Sequence, residues 1–469
     1  MTTFVDQAWA AALPTLMEYI SIPARSPMFD TEWEANGHLM RAAQLLEEWA
    51  RAQAVPGMTV ELIAPVGLTP VLFIEIAATR PDLADRTVLL YGHMDKQPEM
   101  EPWSAGLGPW KPVLAGDRLY GRGGADDGYS VFAALIAIAS IHESGGHHSR
   151  LVLLIEASEE SSSVHLSTHL EHLLPRIGNA ELVVTLDSFC ESYDRLWTTT
   201  STRGVCGGVL DIEVCADDPH SGRASGVLPS SFRILRQLLD RIEDVHTGEV
   251  LLPSANVVIP QHRIDEAAVA ADAFPPLSTT FRPLPGVQPM APDAKGELLN
   301  ESWRPALEVI GIDGIPRVAD AGNVFRSRLS VKLSLRLPPT ADVDAVGDEL
   351  QAVLEADPPF GASVRMTSGA RGPGWEAPEF APWLSAATDA ASRRHFGTPV
   401  ASCGVGGTIP FMGMLGAPLP DAQFLLVGVL GPESNAHGPD EFLHLPTVRR
   451  VTAVVADILQ AQTESPRRA

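Results

Sequence analysis

The chain is poor in cysteine and has no basic excess, no export or membrane segment is expected in it, and each lack bears on a class of function. Four cysteines, Cys190, Cys206, Cys215 and Cys403, are spread over 469 residues. They form no Cys-x-x-Cys pair, so a structural zinc knuckle is not expected, and they are too few for a disulfide scaffold. Lys and Arg total 34 against 58 Asp and Glu, a formal net charge of -24. A nucleic-acid binder needs a basic face, so no nucleic-acid partner is expected. The acid excess suits a generally acidic surface, with some carboxylates left over for metal ligation. The opening Met-Thr-Thr-Phe-Val-Asp-Gln lacks the basic and apolar regions of a leader, and the apolar stretches read as too short to span a bilayer. The expectation is a cytoplasmic protein with no membrane partner. G-x-S-x-G and P-loop motifs, internal repeats and low-complexity tracts are missing as well.

What remains is ordinary globular composition, with 45% hydrophobic residues and a length that suggests roughly two or three domains. Short apolar runs, Met58–Ile63, Val71–Ala77, Thr87–Tyr91, Leu151–Ile155 and Glu181–Leu186, alternate from the third onward with helix-compatible segments such as Val131–Ile141 and Val164–Leu174. This alternation predicts an α/β fold with a mainly parallel sheet flanked by helices. After Gly207 the pattern changes to strands of alternating polarity, Val209–Val214 and Leu329–Leu337, with a proline-rich, irregular stretch from Leu251 to Pro305. We read an inserted α+β domain over 207–373. The catalytic domain then comprises 1–206 and 374–469.

Ligands of α/β sheets bind beyond the carboxyl ends of the strands. Three successive strands here run into His93, Glu159-Glu160 and Asp187, and the glycine-rich stretch Gly121–Gly128 between them carries Asp126. A later strand leads to His437. One carboxylate can bridge two cations about 3.5–4 Å apart, and glycines let Asp126 approach such a centre closely. The donor set His93, Asp126, Glu160, Asp187 and His437 suits zinc, manganese or cobalt better than calcium or magnesium. Glu159, beside a ligand, is the candidate general base for a metal-bridging water, and Asp95 could accept the second imidazole N–H of His93. His165, His169 and His172 also share a helical face, but without a His-Glu-x-x-His pattern they read as a plain polar face.

Taken in order, Tyr-Gly-His93-Met-Asp95-Lys-Gln-Pro, Gly-Arg-Gly-Gly-Ala-Asp126-Asp-Gly, Glu159-Glu160-Ser, Leu-Asp187-Ser, Pro-His220-Ser-Gly and Ala-His437-Gly-Pro-Asp-Glu441 resemble the co-catalytic metallopeptidase family of carnosine and other dipeptidases, aminoacylases and succinyl-diaminopimelate desuccinylases. The likeness is greatest to the dipeptidase branch. It implies two divalent ions per chain, zinc first and manganese or cobalt as alternatives. His93 and Asp187 would hold one ion, Glu160 and His437 the other, and Asp126 would bridge. It further implies that Glu159 is the base, that Asp95 orients His93, and that the inserted domain is a lid and homodimer surface from which His220 reaches the partner's site. Arg336 would grip a substrate carboxylate, and Gly406, Gly407 and Thr408 would line the pocket. The implied reaction is hydrolysis of dipeptides or short peptides with a free carboxylate, with N-acyl amino acid hydrolysis as the alternative. The chain departs from the family at Ser162, where glycine is frequent, at Gly128, where lysine is common, and around Gly322–Arg326.

Overall fold

Runs such as Val88–Tyr91 and Leu151–Ile155 carry no charge and little polarity, which suits strands buried on both faces. In a computed structural model describing residues 2–281, 283–369 and 371–467 they form the centre of the main sheet. The chain divides into two units. The first holds the segment up to Thr199, Ala377–Ser402, and the chain from Phe411 onward. Its sheet strands, numbered in chain order, are β1 (Met58–Ile63), β2 (Val71–Ile76), β3 (Thr87–His93), β4 (Arg150–Glu156), β5 (Ala180–Thr185), β6 (Trp197–Thr202) and β7 (Gln423–Leu426).

These seven strands lie in the order β1-β2-β4-β3-β5-β7-β6 within a nine-stranded sheet, and the short strands Trp375–Glu376 and Ala401–Val405 pair with β6. β4, β3, β5 and β7 are parallel, whereas β1, β2 and β6 pair antiparallel on either side of them. The sheet is therefore mixed, with the expected parallel character confined to its centre. Parallel neighbours need long crossovers, and the helices Ser130–Glu143 and Leu166–Ile177 supply them between β3 and β4 and between β4 and β5. The second crossover carries the chain over β3, so β3 ends in the crevice where the connections diverge.

Ser130–Glu143 is apolar around almost its whole circumference, with eleven of its residues buried, as a helix enclosed by protein must be. Together with the turn before it, it forms a stretch, Gly124–Glu143, of 20 residues that has the length and apolarity of a membrane span, longer than the sequence reading allowed. Its apolar window is 94% buried, so it is spent on the core. It packs against the helices Thr2–Ser21 and Leu445–Glu464. Trp9 Nε1 donates to Thr452 Oγ1 at 2.9 Å and ties those two helices together. The closing helix runs to Glu464, and the end of the expected polar tail, residues 468 and 469, lies outside the described residues.

The second unit comprises Thr200–Glu376 and Cys403–Pro410; the latter segment was expected in the catalytic part. Its antiparallel sheet orders Ala306–Asp313, Arg328–Leu337, Gly204–Glu213 and Ser363–Ser368. Alternate residues of the two central strands, among them Leu210, Ile212, Val331 and Leu333, are buried with the helices Ser231–Leu239 and Val343–Glu355 in a separate core. The stretch 251–305, expected to be irregular, contains the helices Gln261–Ala271 and Ala294–Ser302. Prolines on both flanks masked them.

Candidate metal centre

β3 delivers His93, fully buried, to the middle of the carboxyl edge. Its Nδ1 lies 3.1 Å from the carbonyl oxygen of Asp95 and 3.5 Å from the Asp95 carboxylate. A proton on Nδ1 is held by that carbonyl, which turns the lone pair of Nε2 towards Asp126 Oδ1 at 3.3 Å and Asp187 Oδ2 at 3.8 Å. On the other side of Asp126, Oδ2 lies 3.0 Å from His437 Nε2, which is 3.3 Å from Glu160 Oε2. Asp126 thus stands between two imidazoles.

Two donor groups result. The ligand atoms of His93, Glu159 and Asp187 lie within 4.8 Å of one another, as do those of His93, Asp126 and Glu160. His93 Nε2 and Glu160 Oε1 are buried with no hydrogen-bond partner among the described residues. Orphaned buried donors and acceptors are costly, and the mixture of imidazole and carboxylate is that of a borderline transition metal. The residues fit a divalent ion.

The electrostatics agree. Burial and neighbouring Asp187 push the Glu159 carboxyl well above its ordinary range, and burial with Asp126 and Glu159 does the same for Glu160. Burial pushes Asp187 up to about 6, opposed by His93. For Asp126 burial also acts upward, but the imidazoles of His437 and His93 outweigh it and hold the carboxyl well below its usual value. Too many carboxylates share too few cations here, which is what an absent divalent ion would correct.

Glu159 and Glu160 do not sit at the end of β4 itself. That strand stops at Glu156, and Glu159–Ser161 form a short 3-10 turn. The turn is fastened from below: the Asp95 carboxylate accepts the backbone N–H groups of Glu159 at 3.1 Å and Glu160 at 3.0 Å. Asp95 therefore touches both His93 and the turn that bears the acids. Gln97 Nε2 donates to Glu160 Oε2 at 2.6 Å.

The loop bearing Asp126 is pinned by residues whose role the sequence reading did not assign. Glu441 Oε1 accepts the N–H of Gly123 at 2.9 Å, and its Oε2 pairs with Arg122 Nη1 at 2.5 Å, both side chains buried. Arg122 Nη2 also donates to the Gly438 carbonyl at 2.7 Å, next to His437. One ion pair thus fixes the loops of two candidate ligands. Gly123 has φ +78°, and a Cβ there would meet the Lys96 side chain at 2.6 Å. At Gly128 a Cβ would fall 2.1 Å from the Tyr19 ring, so the family's frequent lysine cannot be accommodated. Lys96 itself is buried, and its Nζ donates to the carbonyls of Tyr19, Ile20 and Ile22.

Other expected residues lie elsewhere. In the second unit Arg336 Nη1 donates to Thr408 Oγ1 at 3.2 Å, and Arg203, not singled out from the sequence, donates to the Gly406 carbonyl at 3.3 Å. Burial, with the charge of Arg336 adding to it against Glu301, lowers Arg203 to about 10. Gly407 has open space around it. His220 is exposed on the second unit, its Nδ1 accepting the N–H of Gly222 at 3.1 Å. His165 and His169 both bond Thr69, but His169 is buried, His165 is half-buried ahead of the helix and only His172 is exposed, so the three do not form the plain polar face expected.

A parallel-centred α/β sheet with imidazoles and carboxylates converging at its carboxyl edge defines a metal-dependent hydrolase. The model of the Peptidase family M20/M25/M40 matches residues 89–461, and the chain belongs to that family and is a peptidase. It is 27% identical over 386 residues to the cysteinylglycine-S-conjugate dipeptidase of Corynebacterium striatum, covering 80% of each chain. It is 26% identical over 358 residues to the Beta-Ala-His dipeptidase of Homo sapiens, covering 75% of this chain and 70% of that one. The fold matches human carnosine dipeptidase 1 with a TM-score of 0.76 at 22% identity, over 99% of this chain and 98% of the other. It also matches the di-peptidase Dug1p of Saccharomyces cerevisiae with a TM-score of 0.74 at 21% identity, over 100% and 99%.

Removing the cation of the pinning pair should loosen both ligand loops. Arg122→Met is expected to keep the fold by circular dichroism but to release metal to a competing chelator about 10–100-fold more readily, the usual cost of losing a ligand's support. Unchanged metal retention would show that the pair is not what holds the loops.

Proposed function

We propose that the protein hydrolyses dipeptides, or short peptides with a free C-terminal carboxylate, at a centre of two divalent ions. The observation that carries this reading is the pair of donor groups that share His93, one with Glu159 and Asp187 and the other with Asp126 and Glu160, in a chain whose relatives include named dipeptidases. His93 and Asp187 would hold one ion and Glu160 and His437 the other, with Asp126 between the two imidazoles as the shared carboxylate. Zinc fits the donors best, with manganese or cobalt close behind. Such ions, when bound, polarise the scissile carbonyl and make water acidic enough to attack near neutral pH.

Glu159 takes the proton of the attacking water and returns it to the leaving amine nitrogen, which must be protonated to depart. Asp95, through its bonds to the Glu159 and Glu160 backbone, keeps that carboxylate in place. Arg336 binds the substrate carboxylate, for which a guanidinium fork is suited. Neighbouring Arg203 adds a second positive charge, and Gly406, Gly407 and Thr408 shape the pocket.

The inserted domain serves as lid and homodimer surface, with His220 acting at the site of the second copy. Its outer strand Ala306–Asp313 supports this reading. Val309, Ile310 and Ile312 are 43%, 59% and 50% exposed there, and an apolar open edge favours pairing with another chain.

Glu159→Ala is expected to retain metal and fold while kcat for a dipeptide falls about a thousandfold; near-wild-type turnover would remove Glu159 as the base. Arg336→Ala should raise KM strongly for free dipeptides and much less for their C-terminal amides, and equal effects on both would exclude carboxylate binding. Initial rates on dipeptides and N-acetyl amino acids, compared side by side, test the substrate class directly, and faster cleavage of the acetyl compounds would overturn it.

A further inference from the structure

Beyond β5 the chain stays extended beside the segment that follows β7. The Leu430 N–H donates to the Ser188 carbonyl at 3.3 Å, the Cys190 N–H donates to the Leu430 carbonyl at 3.1 Å, and Phe189 pairs with Leu430. Side chains alternate along extended backbone, and burial here follows that period. Ser188 and Cys190 are buried, whereas Asp187 and Glu191 are half-buried and Phe189 is 46% exposed. Phe189 and Glu191 therefore share the side of Asp187, whose carboxylate faces His93.

Neither side chain is explained by the fold. Phe189 leaves aromatic surface open where a core phenylalanine would be covered. Glu191 has no hydrogen-bond or ion-pair partner among the described residues, and burial raises its carboxyl. A partly desolvated carboxylate without a cation is unfavourable unless a ligand brings the charge.

We infer that Phe189 and Glu191 form the subsite for the side chain of the substrate's amino-terminal residue and select a long cationic one, lysyl or arginyl. The inference rests on the dipeptidase reading above. Along extended chain two residues advance about 6.6 Å, which places Phe189 one step beyond Asp187, and Glu191 lies further on at the bend that follows. A lysyl ammonium lies about 7 Å from its own carbonyl carbon by simple bond lengths. With that carbonyl a few ångström from Asp187 on the centre's side, the methylenes pass Phe189 and the ammonium comes within ion-pair reach of Glu191. The ring face attracts the cation further, and a chain of net charge -24 draws positively charged substrates towards it.

The test compares lysyl-alanine with norleucyl-alanine, which keeps the methylenes and lacks the ammonium, on the metal-loaded full-length protein. Wild-type kcat/KM should favour lysyl-alanine, and Glu191→Gln should lower the ratio of the two values roughly tenfold, the scale of one charge-assisted contact. Because both substrates meet the same enzyme sample, partial misfolding of the variant cancels from the ratio. Hydrolysis of both dipeptides with no preference, or a ratio that Glu191→Gln leaves unchanged, overturns the subsite alone. Hydrolysis of neither, with N-acetyl amino acids cleaved instead, overturns the dipeptidase reading on which the subsite rests.

Discussion

Desolvation and mutual repulsion of buried and half-buried carboxylates are the constraint around which the first unit is built. Asp95, Asp126, Asp127, Glu159, Glu160 and Asp187 crowd the end of β3, where His93 and His437 are the facing imidazoles. In the low dielectric of an interior such a group cannot be fully ionised without added positive charge. Burial and neighbouring acids accordingly push Glu159, Glu160 and Asp187 upward, while Asp126, flanked by both imidazoles, stays low. The same crowding that is unfavourable for the bare protein favours a divalent cation among these groups.

Much of the surrounding structure keeps this unfavourable arrangement from relaxing. The parallel core brings three strand ends to one edge, and the enclosed helix Ser130–Glu143 packs against β3 and β4 beneath them. Above it, Asp95 ties the Glu159–Glu160 turn to the end of β3, and the Arg122–Glu441 pair ties the Asp126 loop to the His437 loop. The first helix joins in at its C-terminal end, where the Tyr19 hydroxyl donates to the Met94 carbonyl at 2.9 Å and Lys96 gathers the last carbonyls of the helix. The acids are positioned by groups that never need to touch a substrate.

The parts of this plan that rest on local pattern were legible in the sequence. Charge-free runs such as Val88–Tyr91 suit interior strands, which placed His93 at the carboxyl edge, whereas Glu159 and Glu160 reach it on a 3-10 turn beyond the end of β4 that strand pattern alone does not show. What escaped was set by contacts between distant segments. Arg122 and Glu441 meet across 319 positions, Arg203 acquires its meaning from Arg336 beside it, and the Asp95 carboxylate turns out to hold backbone N–H groups as well as facing the imidazole. The antiparallel edges of the main sheet were also hidden, because β2 is buried on nearly every residue and looks in sequence like its parallel neighbours. Proline-rich flanks concealed the helices at 261–271 and 294–302 for a different reason, since propensity near proline reads as loop.

The central claim is that the strand-end acids and imidazoles form a working two-metal centre. It is tested most directly by measuring metal per chain on the purified protein while following dipeptide hydrolysis through chelation and metal add-back in the same samples. The account predicts about two ions per chain, with hydrolysis lost as they leave and recovered as they return. One ion or none, or hydrolysis indifferent to the chelator, would contradict it.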